Sequence, residues 1–318
     1  MEKNRVLGSL YGFVLGDALG VPVEFSSREK LKRNPVKDML GYGTYNVPEG
    51  TWSDDTSMTI ATMDSINKTG EIDYDDIMDN FCKWYKKASY TGTGVFFDIG
   101  KTTRRALDSY LMGTEPLECG GKDGRSNGNG SLMRILPIVL FLGNNNDEDN
   151  VVKIINESSS LTHAHEISKL GCKIYYDYII QLLQGIDKED ALDNLKNIDY
   201  KKYYSDKSIE YYKRVLSGDI KNEKIDNISS SGFVVSSLEA SIWCLLNSNS
   251  YEETVLKAVN LGEDTDTVGA IAGSMAGAYY GLESINKKWI SKIKNLLLFS
   301  NITNSFCDNI VFSKKNHR

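Results

Sequence analysis

The chain has 318 residues, 41% of them apolar and 25% charged, with a formal net charge of −6. This is the composition of a globular protein able to bury a sizeable core without staples, and it carries no global basic field that would invite nucleic acid. Five scattered cysteines form no CxxC pair and only three histidines are present. A disulfide framework and a histidine-rich zinc site are therefore not expected, and the expected setting is a reducing cytoplasm.

Apolar residues recur mostly with helical period. Val6, Leu10, Phe13 and Val14 fall on one stripe of a first helix, with Gly8, Gly12, Gly16 and Gly20 at four-residue spacing beside it. Glycine costs a helix about 1 kcal/mol per residue against alanine, so the row suits a site where another backbone approaches closely. The charged start and the apolar run from Val6 to Leu15 have the look of an export signal. However, Asp17 follows at once and the spacing continues through Val21 and Phe25, so a core helix is expected. No run of 18 apolar residues suggests a membrane span. A long ordered loop is expected over 33–51, then helices over 56–66, 75–86, 102–111, 132–141, 150–159 and 166–183. A Gly-rich loop covers 113–130. Shorter helices over 191–195 and 209–216 lie in a polar, lysine-rich stretch, 187–231, expected at the periphery. Helices over 233–246, 251–261 and 268–280 close the fold. The expected class is all-α, a single compact orthogonal helical domain over 1–318.

Two acidic clusters far apart have the same content: Ser53-Asp54-Asp55-Thr56 and Glu263-Asp264-Thr265-Asp266-Thr267. Each sets carboxylates beside hydroxyls just before an apolar helical stretch. A helix cap explains one acid or hydroxyl, but not two adjacent carboxylates bracketed by two hydroxyls. Buried carboxylates are costly unless compensated. Converging clusters would make an all-oxygen cage for hard divalent cations. The later cluster lacks the glycine and terminal glutamate of an EF-hand loop, and its spacing puts two Asp side chains on one side of an extended turn.

Four further segments stand with them. In GDALGVPVEF (16–25) Pro22 ends a helix and Glu24 sits just beyond, facing a cleft. In DIGKTTR (98–104) Thr102 is a candidate cap and Asp98 precedes it in a glycine-containing loop. In SNGNGSLMR (126–134) glycines open a helix near Ser131 whose N–H groups can face an anion, without the Gly-Lys-Ser/Thr ending of a P-loop. In LTHAHE (161–166) the histidines do not share a helix face. His163 reads as a pocket-lining donor and His165 as structural.

Together with WSDDTSM (52–58) and GEDTDTVGAIAG (262–273), and in this order over about residues 5–281, these segments resemble the ADP-ribosylglycohydrolase family. The resemblance implies an all-α fold with a dinuclear magnesium or manganese centre in a cleft. By position, Ser53, Asp54 and Asp55 match the first ligand group, and Asp264, Asp266 and Thr267 the second. Glu24 matches a mobile glutamate that assists as base or gate. Gly128, Asn129, Gly130, Ser131 and His163 match the wall of the ADP-ribose pocket, with Gly100, Thr102 and Asn127 as further expected substrate contacts. Asp98 matches an acid that faces the acceptor in arginine-type members, and counts with Glu24 and Asp54 as catalytic. The family usually has Thr where this chain has Ser53, and the hydroxyl is kept.

The implied function is metal-dependent removal of ADP-ribose from a modified protein or small molecule, with an arginine N-glycosidic bond favoured. The implied enzyme is a cytoplasmic monomer with neither membrane nor nucleic acid as partner. Two other readings stand beside it: a two-metal nucleotide phosphoesterase and a silent ADP-ribose-binding protein.

Overall fold

The computed structural model describes residues 1–143 and 145–312; the end of the expected 1–318 span lies outside them. Sixteen α-helices are found among the described residues. The first five are α1 (Lys3–Gly20), α2 (Arg28–Arg33), α3 (Asp54–Thr69), α4 (Tyr74–Lys87) and α5 (Lys101–Leu111). Then follow α6 (Leu136–Leu142), α7 (Glu148–Ser160), α8 (Glu166–Leu183), α9 (Lys188–Asn194), α10 (Asp206–Tyr211) and α11 (Lys213–Leu216). The chain closes with α12 (Val234–Leu246), α13 (Tyr251–Val259), α14 (Thr265–Tyr280), α15 (Lys287–Lys292) and α16 (Leu296–Phe312). Only isolated β-bridges, and no sheet, are found among the described residues.

The most extensive helix pair is α1 against α14, and glycine makes it possible. A Cβ built on Gly8, Gly12 or Gly16 would lie 2.3, 2.2 or 2.0 Å from the carbonyl oxygen of Gly277, Gly273 or Gly269. The two backbones therefore touch along an antiparallel seam. This register sets the end of α1 beside the start of α14, and so brings residues 17–24 to residues 264–267.

The third partner is α3. Asp17, fully buried on the last turn of α1, accepts hydrogen bonds from Ser53 N at 3.0 Å, Thr56 N at 3.1 Å and the Thr56 hydroxyl at 2.6 Å. A carboxylate on one helix thus caps the N-terminus of another. Three helix ends meet, two of them N-termini, where the helix dipole favours negative charge.

Several elements differ from their sequence expectation. The helix expected over 132–141 is a 3-10 turn, Leu132–Arg134, followed by α6, because Pro137 sits where a helix tolerates proline, at its start. Helix α5 begins at Lys101 with Gly100 as its cap residue, so Thr102 lies inside the helix. Asp264 is the residue before α14 and Asp266 is in its first turn, so this cluster opens a helix and is not an extended turn. Helices α15 and α16 extend the fold beyond Tyr280. The stretch 187–231 forms short helical pieces that still contribute buried side chains, among them Leu192, Tyr200, Tyr212 and Ile220. Segment Lys3–Val23 is long and apolar enough to cross a membrane, although no unbroken apolar run marks it, and 83% of its most apolar window is buried inside the protein.

Candidate active site

Where the three helix ends meet, a cavity of about 350 Å³ opens. Glu24, Asp54, Asp55, Asp98, Asp264 and Thr267 line it, together with Gly100, Thr102, Gly128, Asn129, Gly130 and His163. Four predicted residues do not line it. Ser53 caps α3, its hydroxyl accepting from Asp55 N at 3.3 Å. Asp266 lies buried just behind the wall. Asn127 bonds to Gly124 O and accepts from Ser168, and the hydroxyl of Ser131, fully buried, accepts from Ser159 at 2.9 Å. These last two hold the glycine loop in place from beneath.

The acids are close packed. Carboxylate oxygens of Glu24, Asp264 and Asp266 lie within 4.8 Å of one another. Asp55 Oδ1 accepts from the Thr267 hydroxyl at 3.4 Å, which links the two clusters across 212 residues of sequence. Asn129 donates to Asp264 at 2.8 Å and to Ser237 at 2.9 Å. Glu24, expected to act as base or gate, also stands among the candidate ligands. Glu24 Oε2 and Asp55 Oδ2 are buried without any hydrogen-bond partner. Oxygen-only donors with orphaned lone pairs fit hard divalent cations.

Electrostatics point the same way. Burial, then the neighbouring acids, pushes Asp54, Asp55 and Asp266 well above the usual carboxylate range. Burial and repulsion from Asp98 raise Glu24 to about 9. Burial raises Asp98 to about 6, partly offset by the Tyr45 hydroxyl. So many acids in one dry pocket must hold protons or share a cation.

The opposite wall is neutral. Burial, then Arg134, pushes His163 down to about 3, so its ring is uncharged. Arg134 donates to the Thr162 hydroxyl at 2.7 Å, and that hydroxyl lies 2.9 Å from His163 Nδ1. With its oxygen accepting from Arg134, Thr162 has its own proton to give Nδ1. Nε2 then carries the ring hydrogen, beside Gly128 and Gly130, and can donate into the cavity.

The loops are held in costly conformations. Phe25, Asp98 and Glu263 have φ of 62°, 56° and 62°, a left-handed region that non-glycine residues seldom occupy. Such strain costs on the order of 1–3 kcal/mol each and clusters at functional sites. A two-bond clip joins two of them: Phe25 N donates to Glu263 O at 2.7 Å and Glu263 N to Ser26 O at 2.9 Å.

Asp17 and Tyr45 were not singled out by motif position. Asp17 is legible in principle, because it falls on the buried stripe of α1 where a carboxylate is out of place. Replacing it with Asn removes charge and turns an NH2 group toward N–H donors, without changing volume. Asp17→Asn should weaken Mn2+ binding by about 10–100-fold, as loss of a residue supporting metal ligands typically does. Calorimetric titration of the metal checks this; unchanged affinity would reduce Asp17 to a helix cap.

An all-α fold with an oxygen-lined acidic cleft facing a glycine wall fits a hydrolase that works with hard divalent cations. The chain belongs to the ADP-ribosylglycohydrolase family, whose sequence profile matches residues 1–315. It is 32% identical to the ADP-ribosylarginine hydrolase Tri1 of Pseudomonas putida strain GB-1, over 91% of this chain and 74% of that protein. It is 28% identical to the ADP-ribosyl-(dinitrogen reductase) glycohydrolase of Rhodospirillum rubrum, over 91% of this chain and 90% of that protein. A solved structure described as an ADP-ribosylglycohydrolase-related protein complex aligns with a TM-score of 0.82 at 29% identity, covering 97% of this chain and 99% of that one.

Proposed function

We propose that this protein hydrolyses the bond between the anomeric ribose carbon of ADP-ribose and an arginine guanidinium nitrogen, with two divalent cations, Mg2+ or Mn2+, in the acidic cleft. The observation that carries this reading is the convergence of Glu24, Asp54, Asp55, Asp98 and Asp264 on one cavity. The relatives named for arginine-linked ADP-ribose support the acceptor.

Asp54, Asp55, Asp264, Asp266 and Thr267, with Glu24, would hold the cations; Ser53 supports them as the cap of α3. Bound cations would supply positive charge to the ribose hydroxyls and to water. Glycoside cleavage builds positive character at the anomeric carbon, and fixed carboxylates around that carbon favour such a transition state. Burial keeps a proton on Glu24 up to about pH 9 in the metal-free protein, so Glu24 would serve as base only once bound cations have displaced that proton; Oε2 is its oxygen without a partner. Asp98, outside the Glu24–Asp264–Asp266 group, is left to hold the guanidinium through charge-assisted hydrogen bonds. His163 and the backbone N–H groups of Gly128 and Gly130 offer donors to the rest of the ligand, whereas the Asn129 N–H already donates to Gly232 O at 3.0 Å. The five cysteines are free and buried, in keeping with a reducing cytoplasm.

The test is a panel of arginine-linked, serine-linked and O-acetyl ADP-ribose substrates, with free ADP-ribose as readout. Release from the arginine-linked substrate is expected with Mg2+ or Mn2+, lost on chelation and restored when the metal returns. Phosphate release from a nucleotide would point instead to a phosphoesterase. ADP-ribose binding without turnover would point to a silent member.

A further inference from the structure

Beside the acids, the mouth of the cleft carries a feature that stability does not explain. Phe25 is 70% exposed, yet its backbone is held at φ 62°. A large apolar side chain in water, on a strained backbone, lowers stability twice over. The ring of Tyr45 lies 6.5 Å from that of Phe25, and Phe97 lies 4.9 Å from Tyr45. Phe25 lines the cavity, the Tyr45 hydroxyl reaches Glu24 and Asp98 in its wall, and Phe97 packs on Tyr45 next to Asp98 in the chain.

The loop that brings Tyr45 there is clamped. The Thr44 hydroxyl donates to Glu24 O at 2.8 Å. A Cβ on Gly43 would lie 2.0 Å from Pro22 O, so the two backbones touch. Tyr42 N donates to Val47 O at 2.5 Å, closing the loop on itself. Tyr45 thus has a fixed place, with its hydroxyl interacting with both Glu24 and Asp98. Five carboxylates line the cavity against one lysine, Lys101.

We propose that Phe25, Tyr45 and Phe97 form an aromatic rim which, with Asp98, reads the acceptor as a planar guanidinium and so sets the cleft's preference for arginine. This inference rests on the arginine reading of the site given above. A guanidinium is planar and weakly hydrated. It stacks on aromatic faces while its edge meets a carboxylate in a two-point contact. An uncharged hydroxyl acceptor can use neither contact, so the rim favours one acceptor and gives nothing to the other. The strain at Phe25 is then the cost of holding an exposed ring at the wall of the cavity.

The test compares wild type with Tyr45→Leu, Tyr45→Phe and Phe25→Ala on ADP-ribosylagmatine, which carries the guanidinium without a protein. Two quantities are read: the kinetic constants, and the affinity for free ADP-ribose with Mg2+ by calorimetry. Phe25→Ala should raise KM about tenfold with kcat changed far less, and Tyr45→Leu should raise KM as much while also lowering kcat, because it removes the hydroxyl that meets Glu24 and Asp98. Tyr45→Phe keeps the ring and should lose less. For Phe25→Ala, ADP-ribose affinity should stay within about twofold, because that ring is exposed at the mouth and makes no contact with the His163 and glycine wall offered to ADP-ribose. The inference is overturned if KM holds steady, or if ADP-ribose affinity falls by the same factor, since the rim would then be scaffold. Phe25 is exposed, so its alanine variant folds even if a Tyr45 variant does not. A wild type that releases no ADP-ribose from the agmatine conjugate sinks the arginine reading itself, and the rim with it. A wild type that releases it, beside variants that do not differ, sinks the rim alone.

Discussion

Asp266→Asn should cut turnover about a thousandfold and at the same time make the metal-free protein more heat-stable. Asp266 is buried with its carboxylate within 4.8 Å of Glu24 and Asp264. Removing one candidate ligand from a cation site costs several kcal/mol of transition-state stabilisation. Asn has nearly the same volume and keeps an oxygen to accept from Thr267 N, as Asp266 does at 2.9 Å. What it removes is a charge that burial and its neighbours already disfavour. Without metal that relief should be about 1–2 kcal/mol, or a few degrees in Tm. Such opposition between stability and activity is usual at strained sites.

The pH dependence has a definite sign. Glu24 is raised from 4.5 to about 9 by burial and Asp98. Between those values the folded chain holds a proton that the unfolded chain has released, so stability falls as pH rises through that window. Chelated wild type should therefore melt progressively lower from pH 5 to pH 9. The Asn variant should show a shallower slope. Added Mn2+ should raise the Tm of wild type and leave the variant nearly unmoved. Melting curves at three pH values, with chelator or Mn2+, check all of this. A metal-free wild type that gains stability with pH would contradict the acidic-cluster account.

Gly16→Val should have the largest structural effect. A Cβ there would lie 2.0 Å from Gly269 O and 2.4 Å from its carbonyl carbon. Neither atom belongs to a flexible side chain, so one helix must shift. Overpacking of this kind costs about 3 kcal/mol or more. It would also separate Asp17 from α3 and the end of α1 from α14, so metal binding should fail together with stability. Gly124→Ala is the control: nothing lies within 4 Å of a Cβ there. Its melting temperature should match wild type, the stability change staying within about 0.5 kcal/mol. Equal loss in both variants would mean that the glycine seam does not hold the site together.

The all-α class was legible because most helices have clear apolar spacing and definite caps. The two acidic clusters were legible because packing alone does not put adjacent carboxylates beside hydroxyls. Side-chain direction within loops was not. Asn127 and Ser131 sit in the same glycine-rich stretch as Asn129, yet only Asn129 turns toward the acids. Spacing along a chain carries no such information where neither helix nor strand period applies. Asp17 escaped notice because its partners, the N–H groups of Ser53 and Thr56 and the Thr56 hydroxyl, are 36 and 39 residues away. Tyr45 escaped because a tyrosine in a Gly- and Pro-rich loop looks like many others. Helices α15 and α16 were missed although Asn286 caps α15, accepting from Lys288 N at 3.0 Å, because α15 is only six residues long and α16 carries β-branched Ile302, Thr303 and Ile310, which propensity disfavours in helices.

The clip between Phe25 and Glu263 has a temporal consequence. It closes a loop of more than two hundred residues, and contacts so distant in sequence form only after much entropy has been lost. A chain emerging from the ribosome has α3 and α4 before residue 264 exists, but not the α1–α14 seam at the centre of the core. The acidic cavity cannot close before α14 packs against α1, because Asp264 and Thr267 are part of its wall. A fragment that ends before residue 264 therefore lacks one of the two acidic clusters that line the cleft.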